Sequence, residues 1–133
     1  MFRLVKIENG RTNEAEPVKL GATPQETYTL GEALVLSGGL ATKCAPTTKP
    51  AFIAGEDFTA PATGSASLVA YPISSDMVFE VPVTAAPTSL KAGNAVTLSS
   101  DGLGVTATTT SGVAVIRDLA GAAAAGDTIL VKF

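Results

Sequence analysis

The chain has 133 residues, enough for one ordinary domain or two very small β modules sharing a core. Hydrophobic residues make up 46%, with five Phe, two Tyr, no Trp and no His, so the apolar supply is mostly Ala, Val and Leu. The formal charge of −3 and nine scattered basic residues exclude a basic nucleic-acid face, and no run approaches the length of a membrane span.

Abundant Thr, Val, Gly and Pro disfavour long helices and suit short strands with tight turns. In chain order, strands are expected over 2–7, 26–30, 33–37, 40–44, 50–54, 65–73 and 77–83. A second set is expected over 95–99, 104–108, 112–118 and 127–133. Residues 9–25 carry the turn pair Asn9-Gly10, then Glu14, Glu16, Pro17 and Pro24, and read as an extended arm. The N-terminal stretch MFRLVKIENGR lacks the apolar core of a secretory signal and reads as a folded or docking strand of a protein made in the cytoplasm. Met77, Phe79 and Val81 alternate with Val78 and Glu80, the pattern of a half-exposed strand. Ser100-Asp101-Gly102 is the strongest hairpin signal, and AGAAAAG (120–126) allows one helical turn at most. The fold class expected is all-β: a small β-barrel or β-sandwich of short antiparallel strands.

An internal repeat is visible. GEALVLS (31–37) aligns with GNAVTLS (93–99), and each segment then turns through glycine. Ala51–Ile53 aligns with Ala114–Ile116 at an offset of 63, and SASLVAY with DTILVKF, matching Leu68, Val69 and Tyr71 to Leu130, Val131 and Phe133. The organisation expected is an arm over 1–25 and a β domain over 26–133, with repeat copies at about 31–73 and 93–133. One small module cannot bury its apolar face alone, whereas two related copies can.

Chemistry is poorly supplied. Without histidine the chain lacks the commonest general base and metal ligand. The lone Cys44 reads as a buried strand residue, and Glu56-Asp57 as a solvated turn. Lys91 and Lys132 read as isolated surface lysines. Neither a phosphate-cradling loop nor a serine elbow is present, so catalytic, metal and cofactor-binding residues are all expected to be none. An enzyme or a carbohydrate-binding module would want converging carboxylates or exposed aromatic platforms, and Tyr28 and Tyr71 both lie inside apolar patterns.

TYTLGEALVLSGGLATKC (27–44) and PATGSASLVAYPISSDMVFEVPV (61–83) give the chain a resemblance to the decoration, or cement, proteins of tailed-bacteriophage capsids. That resemblance implies a non-enzymatic protein on the capsid surface of the virion. Its partner would be the major capsid protein, and it would form a homo-oligomer, often a trimer. Neither nucleic acid nor membrane is an expected partner. Another virion module, such as a head-fibre base or a tail-associated β protein, is the alternative. Candidate capsid contacts lie in the first strand: Phe2, Arg3, Val5, Lys6 and Ile7. Pairing of that strand within its own sheet is the competing reading.

Overall fold

In the computed structural model, which describes residues 1–8 and 16–133, all regular structure is β. The twelve strands are β1 (Arg3–Ile7), β2 (Val18–Gly21), β3 (Thr27–Tyr28), β4 (Ala33–Ser37), β5 (Leu40–Lys43) and β6 (Phe52–Ala54), followed by β7 (Phe58–Thr59), β8 (Ser67–Pro72), β9 (Met77–Pro82), β10 (Ala95–Val96), β11 (Ala114–Asp118) and β12 (Thr128–Lys132). Two five-stranded antiparallel sheets form, ordered β2-β8-β6-β4-β5 and β1-β9-β12-β11-β10, beside a two-stranded β3-β7 ribbon. Both sheets stay open, so the arrangement is sandwich-like rather than a closed barrel.

The two sheets share one pairing scheme. Val18↔Ala70, Lys19↔Val69 and Leu20↔Leu68 in the first become Phe79↔Val131, Glu80↔Leu130 and Val81↔Ile129 in the second, every residue moved by 61. Ala33↔Ile53 and Leu34↔Phe52 become Ala95↔Val115 and Val96↔Ala114, moved by 62. The turns agree as well. Gly31 and Gly93, both at positive φ (78° and 90°), donate their N–H to Ala54 and Ile116, each at 2.8 Å. Glu32 accepts from the Thr29 N–H at 2.8 Å, and Asn94 from the Lys91 N–H at 2.9 Å.

The equivalence differs from the alignment read along the sequence. Leu68 corresponds to Ile129, not Leu130, and Ile53 to Val115, not Ile116. A slip of one residue exchanges the two faces of a strand, so the register rather than residue likeness decides the match. The correspondence also reaches back to residue 18, inside the stretch read as an arm, because β2 pairs along β8 as β9 does along β12. Val18 and Leu20 point inward around Lys19, an alternation too short to stand out between Pro17 and Pro24. Asn9, Gly10 and Glu14 lie outside the described residues.

Other departures have simple causes. Residues 104–108 form only single bridges through Val105, to Val83 and Leu98, because Ser99 and Asp101 side chains take the amides of Gly104 and Leu103. Val78, expected half-exposed, is buried, sharing a shallow depression with Lys6, Glu8, Arg117 and Leu130, whose long stems cover apolar surface. Lys132 is not isolated: its ammonium lies 2.7 Å from the Glu8 carboxylate.

Two cores result. Tyr28, Leu34, Leu68, Ala54 and Ala70 fill the first, with Phe58 stacked on Tyr28 at 6.4 Å. Leu90, Val96, Ile116, Ile129 and Val131 fill the second, together with Ala33, Cys44 and Ile53 from the far face of the first sheet and Phe2 from the N-terminus. The second core is therefore roofed by the first module.

Candidate docking surface

Where β1 crosses from one module to the other, it leaves an open apolar groove of about 390 Å³. Met1, Leu4, Met77 and Phe79 line one wall, and Leu30, Ile53, Tyr71 and Pro72 the other. Met1 (53% exposed), Leu30 (43%), Leu4 (37%) and Tyr71 (36%) present large apolar surfaces there, four of the eight such side chains in the described chain. Tyr71, read as part of an apolar strand pattern, is thus a surface aromatic at the groove. Its place on the outward face of β8, opposite buried Leu68 and Ala70, follows from period-two alternation.

The groove exists because of its neighbours. A Cβ on Gly31 would lie 2.6 Å from the Cβ of Met1, and one on Gly55 2.8 Å from the Tyr71 ring. Glycine at these two positions lets the N-terminus and Tyr71 lie flat against the first module. The Phe2 N–H then donates to the Gly31 carbonyl at 2.8 Å, fixing the strand's start.

The five residues singled out in the first strand divide sharply. Phe2 is 3% exposed, edge-on to Phe79 at 6.4 Å and 5.4 Å from Phe133, and so is a core side chain rather than a surface contact. Arg3, Val5 and Lys6 are exposed, Ile7 half-buried. Arg3 pairs with Glu80 on the neighbouring strand. A bulge between Leu4 and Lys6 places Val5 out of register, so simple alternation along 2–7 does not assign the faces. Leu4, opposite Phe79, faces the groove, and the sequence reading did not select it. Tyr71 and Leu30 were also missed; the sequence marks them only as apolar bulk, before Pro72 in one case and Gly31 in the other.

Electrostatics gather on the opposite, outer face of the second sheet. Glu8 accepts from Arg117 Nε and Lys132 Nζ, both at 2.7 Å, and these partners hold its carboxyl at about 2, below the ordinary 4.5. Elsewhere, burial raises the Cys44 thiol to about 11, which keeps it protonated and unreactive at neutral pH. Glu56 and Asp57 each cap a different backbone amide, of Val69 and of Leu30, rather than converging on one point. Among the described residues no group of three or more Cys, Asp or Glu is placed to hold a metal ion. What the surface offers is apolar contact beside an exposed strand.

No protein-family model and no curated protein matches the chain. Among solved structures, its fold is similar to the head fibre gp8.5 N base of bacteriophage phi29. The two agree with a TM-score of 0.56 at 18% identity, over 89% of this chain and 94% of that one. A likeness at this identity is one of fold.

Proposed function

We propose that the chain is a structural protein of a bacteriophage virion, attached to the head as a base module and acting by binding rather than turnover. The observation that carries this reading is the fold shared nearly end to end with the phi29 head-fibre base. Because that match spans most of both chains, it concerns the whole two-module arrangement and not a common hairpin. The apolar groove beside β1 is the surface that would dock on the shell, with Leu4, Leu30 and Tyr71 as its anchors. A cement role, in which the same module reinforces the shell without carrying a fibre, is the second reading. It is favoured by the composition and turns shared with decoration proteins, and a trimer on the capsid surface is part of it.

Cosedimentation of the purified protein with phage heads lacking it, mature against immature, tests the proposal. Saturable binding at a fixed copy number, weakened at least tenfold by Leu4→Glu or Tyr71→Glu, is the expected result. Absence of binding to either shell would overturn the head assignment. Electron microscopy of decorated heads separates the two readings: a projecting fibre seated on the module supports the base, and a bare module bridging capsomers supports cement.

A further inference from the structure

Three of the four ion pairs among the described residues belong to one short segment: Arg3–Glu80, Glu8–Arg117 and Glu8–Lys132. That segment is β1 and the residue following it. Among the described residues it pairs only with β9, through four register pairs broken by the bulge at Val5, and four of its five strand residues are exposed. Its fully buried apolar anchor, Phe2, stands at one end, and the half-buried Ile7 is the apolar side chain nearest the other. At the other end its described hold is the Glu8 carboxylate between two cations, together with the ladder pairs Lys6↔Val78 and Ile7↔Met77 and a backbone bond from the Glu8 N–H to the Asp76 carbonyl at 2.8 Å.

From this we infer that β1 is a strap held closed by charge, whose Glu8 end lets go as ionic strength rises while both sheets behind it stay intact. Other strands of the second sheet are held differently: β9, β12 and β11 carry buried Val, Ile and Phe residues, which salt does not screen. Ion pairs on an exposed face are screened once the Debye length falls to a few ångströms. Opening from the Glu8 end uncovers Val78 and the outer edge of β9, a row of backbone groups that an extended segment of a partner can pair with. The strap is a property of the chain whatever surface it docks on.

Hydrogen exchange of the intact protein, read by mass spectrometry at low salt and at molar sodium chloride, tests it directly. Amides of residues 4–8 and their partners in β9 are expected to exchange roughly three- to tenfold faster at high salt, with β11 and β12 unchanged. Glu8→Gln should show the fast rate already at low salt and lose the salt dependence. Equal rates for 4–8 at both salts, or salt dependence surviving in Glu8→Gln, would overturn the strap. So would uniform acceleration of all strands together.

Discussion

The two halves of the molecule use one hydrogen-bonding scheme and fill it with opposite strategies. In the first, a single large side chain, Tyr28, lies over a sheet face built partly of alanine: Ala22, Ala54 and Ala70. In the second, the corresponding positions are Leu90 over Val83, Ile116 and Val131. A bulky lid on a shallow floor is exchanged for a smaller lid on a deeper one, which is how close packing survives when every side chain has changed. The lids also differ in polarity. Tyr28 buries its hydroxyl, which donates to the Ala41 carbonyl at 2.7 Å and accepts from the Thr23 amide at 2.8 Å, whereas Leu90 brings nothing to satisfy.

A second contrast concerns closure. The first core is shut by its own β3-β7 ribbon, while the second borrows Ala33, Cys44 and Ile53 from the first module and Phe2 from the N-terminus just before β1. Dependence therefore runs one way. Tyr28→Ala should have the largest effect, about 3–5 kcal/mol, combining a large cavity with two abandoned hydrogen-bond partners. Urea denaturation should show one transition, both halves lost together, because the roof of the second core goes with the first. If β11 and β12 stayed protected from exchange while β6 and β8 opened, that dependence would be refuted.

Phe2→Ala should come next, at roughly 3 kcal/mol, and should act on the second half only. Its ring packs on Phe79 and Phe133, so removal of the N-terminal segment opens a core instead of trimming an arm. Exchange confined to the β9–β12 region checks it; loss of protection in β6 and β8 would move Phe2 into the first core. A smaller effect, about 1–3 kcal/mol, is expected from Ala54→Ile, which places the second half's residue on the first half's floor beneath Tyr28. If thermal unfolding were unchanged, the compensation between lid and floor would not be tight.

The sequence showed the β class, most of the strands and the repeat, because Gly31 and Gly93 and the apolar runs after them are set by backbone demands common to both copies. It hid the true register, since compensating volumes make Leu68 look like Leu130 when its structural counterpart is Ile129. It hid β2 and β7 because two to four residues carry too little periodicity to read. The groove was the least legible feature. Met1, Leu30 and Tyr71 come together only through tertiary packing over Gly31 and Gly55, and no spacing along the chain announces that.

The outer faces complete the comparison and give the smallest effect. Arg117 and Lys132 stand in the second half where the first has Gly55 and Tyr71, so only the second sheet can hold a carboxylate such as Glu8 between two cations. Those cations keep Glu8 ionised in the folded chain down to about pH 2, against an ordinary value of 4.5. A folded-state value below the unfolded one means a contribution fully present above about pH 4.5 and lost as pH falls toward 2. Asp101 and Asp127 are also held below their ordinary values, by hydrogen bonds from Ser99 and from the Ala123 and Ala124 amides, so total stability falls in acid for several reasons at once. The difference between wild type and Glu8→Gln isolates the one group. It should be steady from pH 7 to 5 and shrink below 4.5, and a carboxyl NMR titration of Glu8 should have its midpoint near 2. A midpoint near 4.5 would mean the two cations do not grip the carboxylate in solution. The outer face of the second sheet would then be a solvated surface no more specific than that of the first.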